Sequence, residues 1–185
     1  MKILALISSA NHEGHGAKLT KAVCDEAVKH GSEVEYVYLY DLNFKSCGNC
    51  EMSKDDPDFC TKQDDLVPVM KKFIAADAIV LSAPIYMDNI SGTAKTFLDR
   101  FCIFVNPDHS VNHTPGKKLV MIITSGAPAK HNTEVLDNVC ETFTGFFQME
   151  LVDKLIAGEF MSSSKEIPAD IMEKTIEIGR KLSHK

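Results

Sequence analysis

No stretch of this chain is apolar for long enough to span a bilayer. No signal-peptide cleavage pattern follows Met1-Lys2-Ile3, which lead straight into an apolar strand, so a cytoplasmic location is expected. There is no internal repeat, no low-complexity segment, no Walker motif and no Gly-x-Gly-x-x-Gly fingerprint. Positive charge is in the minority: 20 Lys and Arg stand against 26 Asp and Glu, a net charge of −6. That argues against nucleic acid or an anionic membrane as a partner. Six cysteines in 185 residues are too few for a disulfide framework.

What the chain does contain is a regular alternation of apolar strands and amphipathic helices, and its length fits one domain over residues 1–185. A chain of this size buries roughly 70% of its unfolded surface, so it needs no staples to fold. Lys2–Ile7 reads as strand one, and Lys18–His30 as a helix closed by Gly31. Val34–Tyr40 is rich in β-branched and aromatic residues and reads as strand two. A helix capped by Asp64 or Asp65 runs to about Ala76, with Pro68 tolerated in its first turn. Ala78–Ser82 is strand three, and a helix carrying Phe97, Leu98 and Phe101 follows. Leu119–Ile123 is strand four. The next helix starts at Asn132 or Thr133, with Val135, Leu136, Val139, Phe143 and Phe146 on its buried side. Glu150–Phe160 holds the last strand, Ser162–Ser164 a linker, and Ile167–Leu182 a final helix with Ile171, Ile178 and Leu182 on one face. Repeated βα units imply a parallel sheet with helices on both faces. Five strands suit a flavodoxin-like three-layer sandwich in the order 2-1-3-4-5.

In such sheets ligands bind outside the carboxyl ends of the strands. Two loops are placed there. Ser8–Lys18 is small, polar and glycine-containing, and it opens a helix whose free N–H groups suit a phosphate. Ser9 and Asn11 can donate to phosphate oxygens, and His12 and His15 can add positive charge at lower pH. Pro84-Ile85-Tyr86-Met87 sits where strand three ends and a loop opens. It offers backbone N–H groups, an aromatic ring and a thioether, which suit a flat, polar-edged ring system such as a flavin. Tyr86 reads equally as a plain core aromatic, and Asn89 is a weaker candidate. No residue is an obvious general acid or base. His109, His113 and His131 lie in loops where histidines usually do nothing, though the first two can line an entrance. Cys24, Cys102 and Cys140 read as small buried hydrophobes in helical contexts.

Through these motifs the chain resembles the NADPH-dependent FMN reductase branch of the flavodoxin-like superfamily, and within it the iron–sulfur flavoprotein type. The loop after strand one matches the family's Gly-Ser-Pro-Arg-x-x-Gly-Asn-Thr-like phosphate loop at Ser8, Ser9, Ala10, Asn11, Gly14, His15 and Gly16. Ser82-Ala83-Pro84-Ile85-Tyr86 matches its Gly-Ser-Pro-x-Tyr loop, Asp99-Arg100 its Asp-Arg pair, and Thr124-Ser125-Gly126-Ala127 its third loop. The resemblance implies that Ser9, Asn11, His15, Gly16 and Ala17 hold the phosphate end of FMN. It places Pro84, Ile85, Tyr86, Met87, Asn89, Ser125 and Gly126 around the ring. It further implies an FMN-dependent oxidoreductase passing hydride or electrons from NAD(P)H to a small acceptor of quinone-like, azo, nitro or flavin type. The assembly it implies is a homodimer or homotetramer. Two departures bear on retention: Asn11 replaces an arginine, and His15-Gly16 replace an Asn-Thr pair. Each lost phosphate contact costs about 1–3 kcal/mol if nothing replaces it. The alternatives are a flavodoxin-like electron carrier, or a member that kept the fold and lost the flavin.

The family's iron–sulfur members carry a compact four-cysteine run. This chain has Cys47-x2-Cys50-x9-Cys60, with Ser53 at the third position and Asp55, Asp56 and Asp58 nearby. A four-iron cluster wants four thiolates. We therefore expect no bound metal, Cys47, Cys50 and Cys60 being the candidate ligands for a cluster or zinc. The favoured reading is a loop without a complete ligand set that walls a substrate site or touches another subunit. A redox-active Cys47–Cys50 pair is the remaining reading.

Overall fold

The computed structural model describes residues 1–48, 60, 62–159 and 166–183. Cys50, Ser53, the three aspartates beside them and the Ser162–Ser164 linker lie outside those residues. The strands are β1 (Lys2–Ile7), β2 (Glu33–Tyr38), β3 (Ala78–Tyr86), β4 (Asn89–Ile90), β5 (Lys118–Thr124) and β6 (Glu150–Ala157). The helices are α1 (His15–Lys29), α2 (Leu66–Ala75), α3 (Gly92–Asp99), α4 (Thr133–Glu141) and α5 (Ala169–Ser183). Five strands pair in parallel in the order β2-β1-β3-β5-β6, and β4 pairs with β3 alone. The sheet thus has the expected 2-1-3-4-5 order with one additional hairpin strand.

Strand alternation divides the apolar side chains between two layers. Leu4, Leu6, Ile79, Leu81 and Met121 face α2, α3 and α4. Ile3, Ala5, Val80, Val120 and Ile122 face α1 and α5 through Leu19, Val23, Ile178 and Leu182. Gly31 closes α1 at φ +84°, a conformation that glycine adopts without strain. No helix among the described residues is long and apolar enough to cross a membrane.

Four sequence expectations are corrected. β3 continues past Ser82 to Tyr86. The Ser8 N–H donates to the Ser82 carbonyl, so residue 82 faces β1. By alternation, residue 84 faces the same side, beyond the last β1–β3 pair at Ile7 and Ser82. The N–H that Pro84 lacks has no ladder partner to lose, and its carbonyl accepts from Ser91 at 2.9 Å. β6 ends at Ala157 rather than Phe160. Phe146 is 47% exposed, whereas Phe147 is buried. After α4 the chain widens into a π-turn over Thr142–Phe146, with the Phe147 N–H donating to Thr142 at 3.2 Å. The extra residue shifts the inward position by one. Cys102 is exposed because α3 ends at Asp99 and Arg100–Phe104 form a 3₁₀ turn. Its tighter period turns Phe101 and Phe104 inward together and Cys102 outward.

One buried carboxylate ties α1 to α5. Glu26 lies 2.8 Å from Lys29 Nζ and accepts from Arg180 Nε at 2.9 Å. The hydrogen bonds from Lys29 and then Arg180 hold its carboxyl down at about 2. A depressed carboxyl contributes stability that is complete above its ordinary value near 4.5 and is lost as pH falls toward 2. Glu26→Gln removes that acid sensitivity. Urea midpoints plotted from about pH 5 down to about pH 2 will fall less steeply for the variant than for the parent. Parallel curves would assign the titration to another group.

Candidate functional site

The loops following β1, β3 and β5 meet at the carboxyl edge of the sheet and enclose a cleft of about 190 Å³. Its polar end is the start of α1. Gly14 stands at the N-cap position with no side-chain cap, and the first turn carries no acidic residue. The N–H groups at that end are therefore left for an external acceptor. The approach loop is fixed by its own hydrogen bonds. The Asn11 N–H donates to Ser9 Oγ at 3.2 Å, the Glu13 N–H to Asn11 Oδ1 at 3.0 Å, and the Gly14 N–H to the Asn11 carbonyl at 3.0 Å. These bonds use the Ser9 and Asn11 side-chain oxygens as acceptors; both residues line the cleft and keep a hydroxyl and an amide N–H as donors of their own.

Gly16 is where α1 touches β3. A Cβ added there would lie 2.8 Å from Ser82 Oγ, so only a glycine lets the first turn sit this close to the sheet. His15 is buried and lines the cleft. His12 does not. Its ring stacks on Tyr38 with centroids 3.9 Å apart, and its Nε2 lies 2.9 Å from Asp41. The expected positive charge from His12 is thus directed away from the phosphate end, and His15 alone of the two histidines remains there.

Pro84, Ile85 and Tyr86 form one wall. They belong to a tight hairpin in which Tyr86 pairs with Asn89 and Ile85 with Ile90. The two turn residues, Met87 and Asp88, have φ of 48° and 58°, the backbone of a type I′ turn. Tyr86 is 60% exposed and is not a core aromatic. Met87, at the tip, is 98% exposed and does not line the cleft. Asn89 does not line it either; its Oδ1 accepts from the Ile90 N–H at 2.9 Å and takes that donor out of play. Ala17, in the first turn of α1, is buried and does not line the cleft.

Thr124, Ser125 and Gly126 form the opposite wall. The Ser125 N–H donates to Ala157, its hydroxyl donates to the Ala127 carbonyl at 2.9 Å, and Asn132 Nδ2 donates to that hydroxyl at 2.8 Å. Asn132 is buried and fixes this loop, a role its position at a helix start did not signal. Nine of the twelve residues assigned to FMN from sequence therefore line one cleft, together with Gly14 and Thr124 of the matched loops. The titratable groups among the lining residues are His15 and Tyr86. Such a cleft is built to bind and orient a ligand.

Below the hairpin, Arg100 closes the base of the cysteine loop. Its side chain is 1% exposed. Nη1 donates to Asp64 Oδ2 at 2.7 Å and to the Lys45 carbonyl at 2.8 Å, and Nη2 to Asp64 Oδ1 at 3.1 Å. Asp64 also accepts from the N–H groups of Lys45 and Leu66, which makes it the cap of α2. Burial alone would raise the Asp64 pKa, but Arg100 and the two backbone donors outweigh it and hold the carboxyl below the usual range. Cys60 lies beside the guanidinium, and Cys47 lies beside Cys102 instead of Cys60. Among the described residues no group of three or more His, Cys, Asp and Glu side chains could hold a metal ion. His113 packs edge-on against Phe104, His109 lines a different depression, and neither reaches the cleft.

The profile of the NADPH-dependent FMN reductase family matches residues 1–160. The chain is 36% identical over 101 residues to an iron–sulfur flavoprotein of Archaeoglobus fulgidus, covering 54% of this chain and 48% of that one. It is 28% identical over 99 residues to an FMN-dependent NADPH-azoreductase of Staphylococcus aureus, covering 54% and 51%. The chain spans about half the length of the curated relatives it matches. In structure it is similar to an NAD(P)H:quinone oxidoreductase from Methanothermobacter marburgensis, with a TM-score of 0.73 at 16% identity over 100% of this chain and 98% of that one. At that identity the likeness speaks for the fold.

Proposed function

The chain belongs to the NADPH-dependent FMN reductase family, and on that premise we propose that it is an FMN-dependent NAD(P)H oxidoreductase. The observation that carries this reading is the cleft: an uncapped helix start at one end and two walls, Pro84–Tyr86 and Ser125–Gly126, beyond it. The residues present fit FMN. The α1 N–H groups, Ser9 and Asn11 would hold the phosphate, with His15 adding charge when protonated. Ile85, Tyr86, Ser125 and Gly126 would border the ring.

The enclosed volume of about 190 Å³ is below the roughly 300 Å³ at which small-molecule pockets begin, so much of a bound ring would stay uncovered. An uncovered face is what a second substrate needs. FMN, when bound, supplies acceptance of hydride from a nicotinamide and delivery of electrons to an acceptor. The protein's part is to orient it, Asn132 holding Ser125 and the β3–β4 hairpin holding Tyr86. Met87, at the hairpin tip, and Asn89 are not carried forward as ring contacts.

The acceptor class is a quinone-like, azo, nitro or flavin compound. The protein is read as one cytoplasmic domain that assembles as a homodimer or homotetramer, which sedimentation equilibrium will test. The functional test is optical. Protein given FMN and passed through gel filtration will keep flavin absorption bands that bleach anaerobically with NAD(P)H. A colourless eluate would overturn the reading and leave the fold serving another purpose. With one open side for two substrates, initial-rate plots against NAD(P)H at several acceptor concentrations will be parallel. Intersecting lines would mean both substrates bind together.

A further inference from the structure

A second depression, of about 680 Å³, lies apart from the cleft. Leu98, Val105, Phe146 and Phe147 give it an apolar floor, and Cys47 and Cys102 both line it. These two cysteines come from different parts of the chain: Cys47 from the segment held down by Arg100, Cys102 from the 3₁₀ turn after α3. Their thiols lie within hydrogen-bonding reach of each other. Cys102 is exposed and Cys47 is partly exposed, so small reagents reach both through the open depression. The other described cysteines differ. Cys24 and Cys140 are buried, with thiols pushed up by burial to about 12 and about 11, and Cys60 sits against Arg100.

We propose that Cys47 and Cys102 form a redox-active dithiol, oxidised to a reversible disulfide by hydroperoxides. The step is a two-electron oxidation. One sulfur, as its thiolate, attacks the peroxide O–O bond, which breaks to give a sulfenic acid and hydroxide or alkoxide. The second sulfur then attacks the sulfenic sulfur; an S–S bond forms, the S–O bond breaks and water leaves. With hydrogen peroxide, two thiols and one peroxide give one disulfide and two waters. Both sulfurs line the open depression, so either can attack the peroxide first and the other then resolves it. The pairing differs from the Cys47–Cys50 pair suggested by sequence adjacency, and it stands independently of flavin binding.

The test is to treat the reduced protein with a small excess of hydrogen peroxide. Free thiols are counted after denaturation, and a non-reducing digest is mapped by mass spectrometry. Accessible thiols will fall from six to four, a peptide joining Cys47 to Cys102 will be found two hydrogens lighter than its reduced parts, and dithiothreitol will restore both. In Cys102→Ser, an exposed and conservative change, the cross-link will be absent and a dimedone adduct will accumulate on Cys47. A cross-link from Cys47 to Cys50 or Cys60 would overturn the proposal. So would irreversible oxidation at Cys47 with Cys102 untouched.

Discussion

Arg100→Met will cost the fold about 3–5 kcal/mol, a large share of the roughly 5–15 kcal/mol that holds a domain together. The reason is not the value of the ion pair itself. Asp64 is only 16% exposed, and removing Arg100 strands its carboxylate among groups that cannot replace the bidentate contact. The same substitution frees the Lys45 carbonyl, so the loop base loses its clamp at both ends. Urea denaturation will show the loss as a lower midpoint at an unchanged slope. The double variant Arg100→Met/Asp64→Leu will recover most of it, because neither charge is then left buried alone. If the double variant is as unstable as the single one, the damage is packing and the electrostatic account is wrong. The pH dependence gives a second check. The Asp64 carboxyl is held below its ordinary range in the folded state. Its contribution is complete above the unfolded pKa and disappears as pH falls through the folded one. The gap between parent and Arg100→Met will therefore narrow in acid.

Gly16→Ala has the largest expected effect on the cleft. Its Cβ would stand 2.8 Å from Ser82 Oγ on the central strand, closer than such atoms approach without something moving. The first turn of α1 must lift or Ser82 must turn, at a cost of about 1–3 kcal/mol. That turn carries the N–H groups proposed to hold the phosphate, so FMN affinity will fall by about tenfold or more, equivalent to about 1.4 kcal/mol. A fluorescence-quenching titration of FMN will measure it. Ser82→Ala removes the obstructing hydroxyl, and the double variant will regain much of the lost affinity. Non-additivity of this kind marks two groups in contact. Purely additive losses would show that Gly16 acts by some route other than its approach to β3.

The elements legible in the sequence are those whose period is regular. Short apolar runs marked the strands and amphipathic stretches the helices, and their repeated βα order led to the strand order that is observed. The start of α1 was legible because a small polar loop leading into a helix has a fixed consequence for the backbone. Features that change the period locally were not. The π-turn before Phe147 and the 3₁₀ turn around Cys102 each reassign which side chain points inward, and composition does not announce either. The hairpin after Pro84 was hidden for two reasons. Proline argues against a continuing strand, and a type I′ turn built from Met87 and Asp88 lacks the usual Asn-Gly signal. That hairpin is what turns Met87 away from the cleft and ties up Asn89. The pairing of Cys47 with Cys102 was beyond reach as well, since it joins segments far apart in the chain.

The two-layer core has a consequence for how the chain comes off the ribosome. β1 pairs with β2 and β3, so the centre of the sheet can assemble once residues up to about Tyr86 have emerged, and β5 and β6 then add outward on one side. The layer built from α2, α3 and α4 fills in step with that growth. The opposite layer does not. The apolar stripe of α1, Leu19 and Val23 among it, waits for Ile178 and Leu182 of α5, which are synthesised long after it. Gly179 must then seat so close to α1 that a Cβ on it would lie 2.5 Å from the Val23 carbonyl oxygen. At roughly 5–20 residues per second, the time between α1 and α5 is many seconds. During it α1 covers its own part of that face while the part that α5 will cover, beside α1 and over β6, stays open, which makes this the interval in which the chain most needs shelter from its neighbours.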